Sequence, residues 1–315
     1  MPFDALLLLT FGGPESPAEV MPFLENVLRG RPVPRERLEQ VAAQYMEMGG
    51  RSPINDQSRR LLARLAEQTK IPLYWGTRNW HPALNDTVAR MADDGVRRAA
   101  VFVPSAYASY SGCRQYLENL EAATTAAGPA APELVKIPPF YDHPGFVGPM
   151  ADGLRRARAD AGPDAPVLMS AHSIPSGAAA TCDYVSQLQA TMAAVAAGAG
   201  EDAGACRLVF QSRSGPPDQP WLGPDVGEAL QALTGGTSAA IVVPLGFASD
   251  HMEVVYDLDR KAAATAAAAG IRLVRSATAG EDPRFVDMIL DLVHGLEGDT
   301  VRPSCRPGCC PSARP

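Results

Sequence analysis

The stretch AAIVVPLGFASDHMEVVYDLD, residues 239–259, holds the three parts of one structural unit. Ala239–Val243 is a short apolar run with β-branched residues, the pattern of a strand buried on both faces, and Pro244 breaks it. Pro244–Ser249 is irregular. From Asp250 a helix is expected, running to Ala269 and capped by Ser249 or Asp250. Glu253 and Asp257, four residues apart, then share one face, with Asp250 one turn before Glu253. Strand, loop and helix in that order make a βα unit. The row of carboxylates leaves two readings open: a solvated helix face, or a face that holds a cation, passes it along a line or accepts protons.

The same alternation runs along the whole chain. Strands are expected at Ala5–Thr10, Pro72–Trp75, Ala99–Pro104 and Leu134–Ile137, then at Pro166–Ser170, Arg207–Gln211, Ala239–Val243 and Ile271–Val274. Helical patterns separate them, and the last, Pro283–Leu296, carries an apolar stripe of Phe285, Met288, Ile289, Leu292 and Leu296. The fold class that follows is α/β: two similar halves, each a four-stranded, mostly parallel sheet flanked by helices. Residues 1–150 form the first half, 151–298 the second, with the last helix able to pack on the first half, and 299–315 a cysteine-rich tail.

In open parallel sheets ligands bind outside the carboxyl ends of the strands, so the residues just after each strand are the ones to inspect. Phe11-Gly12-Gly13-Pro14 follows the first strand, Ala171-His172-Ser173-Ile174-Pro175 the fifth, Ser212-Arg213-Ser214-Gly215-Pro216 the sixth, and Pro244–Asp250 the seventh. His172 on the same rim as Glu253 pairs an imidazole that titrates near neutrality with a carboxylate. Arg213 either binds a ligand carboxylate or braces its loop. Neither FQSRSGP nor GGP is a phosphate or dinucleotide loop, because the Gly-Lys-Ser/Thr and GxGxxG patterns are absent. His81, His143 and His294 lack metal-ligand spacing, and Cys182 and Cys206 read as ordinary buried residues.

The chain has 315 residues, a net charge of −7 and a pI near 5.3, which excludes the basic stripe of a nucleic-acid binder. No apolar run reaches the roughly 20 residues of a spanning helix, and the start is unlike a signal peptide, so a cytoplasmic protein is expected. Three of the six cysteines, Cys305, Cys309 and Cys310, crowd the last eleven residues. In a reducing compartment such crowding points to metal. Cys113, on a loop after the third strand, is the expected fourth thiol. Four thiolates suit a [2Fe–2S] cluster or a structural zinc, the remaining alternative being a tail with incidental cysteines.

The motifs LLTFGGPESP (8–17), RGRPVPRERL (29–38), MGGRSPINDQ (48–57), SAHSIP (170–175), FQSRSGPPDQPWLGP (210–224) and PLGFASDHMEVVYDLD (244–259) resemble those of the ferrochelatase family along essentially the whole chain. The resemblance implies two Rossmann-like halves around a porphyrin cleft and insertion of Fe²⁺ as the activity. It makes His172 the catalytic histidine, as proton acceptor or first iron ligand, and Glu253 the acid facing it. Asp257 continues the metal path, while Asp250 and His251 orient that helix. The cysteines are similar to those of actinobacterial members that hold a [2Fe–2S] cluster on one internal and three C-terminal cysteines and metallate coproporphyrin III. Coproporphyrin III is therefore expected over protoporphyrin IX, with Phe11, Arg29, Arg31, Ser52, Tyr116 and Arg213 against the substrate. A monomer in transient contact with neighbouring haem-pathway enzymes is the expected state. A rival from another class is a non-enzymatic haem carrier or iron–sulfur sensor. Two departures stand out: Phe11 where many relatives carry tyrosine, and Lys261 where some continue the acid row.

Overall fold

The computed structural model describes residues 2–30, 33–215, 218–233, 236–297 and 308–312. The first half contains β1 (Ala5–Thr10), α1 (Val20–Val27), α2 (Arg35–Glu47), α3 (Ile54–Gln68), β2 (Leu73–Thr77), α4 (Leu84–Asp93), β3 (Arg98–Phe102), α5 (Gln115–Ala127) and β4 (Glu133–Lys136). The second contains α6 (Pro144–Ala161), β5 (Val167–His172), α7 (Ser176–Ala179), α8 (Tyr184–Ala199), β6 (Cys206–Gln211), α9 (Val226–Gln231), β7 (Ala239–Val243), α10 (Met252–Tyr256), α11 (Ala263–Ala268), β8 (Arg272–Arg275) and α12 (Pro283–Glu297).

Each half forms one four-stranded parallel sheet, and the strand order repeats: β2-β1-β3-β4, then β6-β5-β7-β8. The apolar runs ALLLLT and AAIVV are buried along their full length, so they occupy inner positions with helices on both faces. The outer strands β4 (ELVK) and β8 (RLVR) carry charges, which suits edges that must not pair further. In both sheets the strand order reverses beside the first strand of the half. The crevices favoured for ligands thus lie at the ends of β1 and β3 and of β5 and β7.

One core joins the halves. Phe102 of β3, Phe140, Phe146 of α6 and Phe285 of α12 pack with ring centroids 5.3–5.9 Å apart along the chain of contacts. Each fully buried ring contributes roughly 2–3 kcal/mol by removing apolar surface from water. The apolar stripe of α12 is buried as its spacing predicts, and Phe3 at the chain start donates its N–H to Glu297 at the helix end, 2.9 Å away. Gly145 permits α6 and α12 to cross closely, since a Cβ there would sit 2.4 Å from the Arg284 carbonyl oxygen. Residue 150 lies inside α6. A smaller cluster of Val20, Phe23, Leu24, Tyr45 and Met252 fastens the α1–α2 hairpin of the first half against α10 of the second.

The helix expected over Asp250–Ala269 is interrupted. His251 is extended (φ −123°, ψ 176°), so the helix starts at Met252, and Asp257–Ala262 form a π-helical turn before α11. Asp250 does not cap it, because its carboxylate is held by Arg275 of β8 at 2.7 Å.

Candidate active site

β5 and β7 are hydrogen-bonded neighbours, so the residues after them share one rim. His172 is the last residue of β5. Gly246, in the loop after β7, brings that loop against β5: its N–H donates to the Ser170 carbonyl at 2.9 Å, and a Cβ there would lie 2.7 Å from Ala171 Cα. This close approach sets Glu253 opposite His172, with Glu253 Oε2 3.6 Å from His172 Nε2. His172 Nδ1 lies 2.6 Å from the Ser173 carbonyl oxygen. A carbonyl only accepts, so Nδ1 carries the proton and Nε2 keeps its lone pair in the neutral ring.

The pair is electrostatically coupled. Enclosure of His172 opposes protonation, but the hydrogen bond and charge of Glu253, the Ser173 carbonyl and Asp257 outweigh it and raise its pKa. Glu253 keeps 55% of its side chain exposed at the rim, and although the surrounding protein opposes its ionisation, His172, His251 and Lys261 bring its pKa down to about 2. Burial lowers the pKa of His251, whose ring packs 5.3 Å from that of Phe247. One imidazole of the two is thus favoured as the proton carrier.

The remaining acids are held by protein groups. Asp257, 8% exposed, accepts from Ser212 Oγ at 2.5 Å and from Lys261 Nζ at 3.1 Å. Ser212 adopts a left-handed conformation (φ 60°) to reach it, a strain usually tolerated at functional positions. The π-helical turn begins at Asp257, and such turns often mark sites of function. Arg275 holds Asp250 at 2.7 Å and Asp259 at 3.0 Å on either side of the segment.

The rim of the first half is different in kind. Phe11, after β1, is 37% exposed. Arg78, directly after β2, lies with its guanidinium carbon 5.8 Å from the Phe11 ring centroid and 5.2 Å from that of Tyr116. Tyr116 is buried, with the Arg78 guanidinium over its ring. Ser52 is also buried, its N–H on the Pro14 carbonyl at 2.9 Å and its side chain against Gly13. Arg29 and Arg213 are exposed, and Arg213 donates to the Gln219 carbonyl at 3.1 Å. Arg31 lies outside the described residues. Arg78 is absent from the residues expected on sequence grounds, although the end-of-strand rule applied to β2 points straight at it.

Cys113 sits in a π-helical turn at Tyr110–Arg114 and is buried beside Lys136 Nζ, 3.5 Å away. The tail returns to this region, where Cys310 (φ 49°) is buried within electrostatic reach of Cys182, Cys309 and Cys113. Burial, with the charges of Cys182, Cys309 and Cys113, pushes the Cys310 thiol up to about 12. Cys182, expected from sequence to be an ordinary buried residue, is half-buried within electrostatic reach of Cys310, while Cys305 lies outside the described residues. Among the described residues no three His, Cys, Asp or Glu side chains close on a single metal position. No described helix is long and apolar enough to cross a membrane.

The ferrochelatase family model matches residues 3–296. The coproporphyrin III ferrochelatase of Frankia alni is 55% identical over 92% of this chain and 79% of its own length. That of Mycolicibacterium smegmatis is 51% identical over 94% of this chain and 92% of its own. Among solved structures, SirB from Bacillus subtilis with Fe³⁺ superposes with a TM-score of 0.59 at 11% identity, covering 94% of this chain and 98% of that one, a likeness of fold alone. With the repeated sheets, the rim carrying His172 and Glu253 and a family match over nearly the full length, this chain belongs to the ferrochelatase family.

Proposed function

We propose that this chain inserts Fe²⁺ into coproporphyrin III to give Fe-coproporphyrin III, coproheme, in haem synthesis. The observation that carries the reading is the His172–Glu253 pair, 3.6 Å apart on one rim, in a chain about half identical to coproporphyrin III ferrochelatases. Insertion exchanges one dication for the two pyrrole N–H protons of the free base, so the site must admit a cation and take up protons. His172 Nε2, with Nδ1–H anchored on the Ser173 carbonyl, accepts the two pyrrole protons in turn and releases each to solvent. Glu253 stays ionised, balances the imidazolium and faces the entering iron. Asp257 supplies the next carboxylate on the metal route. Phe11 offers an apolar face to the macrocycle.

Absorbance of the protein with coproporphyrin III alone, and with coproporphyrin III plus anaerobic Fe²⁺, tests this. Catalytic turnover to the metalloporphyrin is expected, faster than with protoporphyrin IX. Stoichiometric binding without turnover overturns the reading in favour of a haem carrier.

The thiols fit a [2Fe–2S] cluster in chemistry, and the free cysteines fit a reducing cytoplasm. Cys182, Cys309 and Cys113 lie within electrostatic reach of Cys310 without closing on one metal position among the described residues, and Cys305 is a further candidate ligand. Such a cluster supplies a one-electron redox centre when bound, and no step of insertion needs it. Cys310→Ser is expected to remove the visible spectrum together with bound iron and sulfide. A colourless protein carrying zinc contradicts the assignment.

A further inference from the structure

We propose that Arg78 binds a carboxylate of the porphyrin substrate, an inference that rests on the chain being a coproporphyrin chelatase. Arg78 is placed rigidly. Its backbone N–H donates to the Thr10 carbonyl at 2.9 Å, which fixes it at the end of β2 beside the end of β1. Its guanidinium is packed between the rings of Phe11 and Tyr116 and reaches the Ser111 carbonyl at 3.4 Å.

These partners hold the group without neutralising it. Burial lowers the pKa of Arg78, the signature of a cation partly removed from water. Among the described residues no carboxylate lies within ion-pair distance of it. The acid whose charge reaches it, Glu118, is already bonded to Tyr110 Oη at 3.0 Å and Arg114 Nε at 3.4 Å. Arg158 and Arg275, enclosed elsewhere in the fold, each hold carboxylates: Glu201 at 2.7 Å for Arg158, Asp250 at 2.7 Å and Asp259 at 3.0 Å for Arg275. Enclosing a charge without an anion is costly, and a bound anion offsets that cost.

The chemistry of the anion follows from the surroundings. A guanidinium presents paired N–H donors that match a carboxylate, and the ring stack fixes its plane. The Phe11 ring beside it is one of two exposed large hydrophobic side chains among the described residues, the other being Met46. An apolar face with a cation at its border suits a flat macrocycle that carries propionates. Tyr116 then acts as a positioning residue, holding Arg78 from below.

Binding of coproporphyrin III and of its uncharged tetraamide, read by fluorescence quenching, tests the pairing in the wild type, Arg78→Met and Arg78→Lys. Arg78→Met should weaken binding of the acid about tenfold, a charge-assisted bond's worth, and leave the tetraamide unchanged. Arg78→Lys should recover part of the loss. Equal weakening of both ligands, or of neither, overturns the proposal, because a structural role would not distinguish the carboxylate from the amide. Failure of the wild type to bind or metallate coproporphyrin III would instead refute the functional reading on which this rests.

Discussion

The two sheets share one strand order and present opposite chemistry at their ends. On the second half the rim is ionic, with His172 against Glu253, Asp257 against Ser212 and Lys261, and Asp250 and Asp259 against Arg275. On the first half it is aromatic and cationic, with Phe11, Tyr116 and Arg78 stacked together. A repeated scaffold thus separates two tasks. On the function proposed above, one rim would handle small charges that move, and the other would hold a large flat ligand that does not.

Disturbing the ionic rim should therefore alter iron insertion more than porphyrin binding. Glu253→Gln is expected to lower kcat about a hundredfold, within the range of a lost acid–base partner. Its pH profile sharpens the claim. Glu253 raises the His172 pKa, so its removal lets that pKa fall, and the acid limb of the rate profile should move to lower pH. An unshifted limb would separate Glu253 from the proton-accepting group. Arg78→Met, on the other rim, should raise the porphyrin KM about tenfold and leave the KM for Fe²⁺ unchanged. The smallest effect is expected at Lys261, whose ammonium lies on Asp257 at 3.1 Å. Lys261→Met should free that carboxylate and lower the Fe²⁺ KM by about threefold, the scale of a partly exposed ion pair. A changed porphyrin KM in that variant would break the division between the rims.

The sheets were legible in the sequence because strands buried on both faces require continuous apolar runs, and ALLLLT and AAIVV supply them between chain-breaking residues. The rule that ligands lie at strand ends brought His172 and Glu253 to one place before any geometry was known. Other features depended on distant partners. Arg78 follows β2 directly, so its position is legible from the strand end, but its role comes from Phe11 and Tyr116 on other elements. Ser52 and Tyr116 carry groups that suit a propionate, and their packing against Pro14 and Arg78 comes from distant parts of the chain. Lys261 read as a gap in the acid row, whereas its spacing of four from Asp257 makes it the partner of that acid. Cys182 lies far along the chain from Cys310, and only the return of the tail brings them within electrostatic reach.

His172→Ala tests the separation of tasks most directly, by measuring in one sample the binding of coproporphyrin III and its conversion with anaerobic Fe²⁺. Porphyrin binding within about twofold of the wild type is expected, with insertion reduced at least about a hundredfold, as for loss of a general base. Wild-type insertion by this variant, or loss of binding and insertion together, would contradict the division of labour between the two rims.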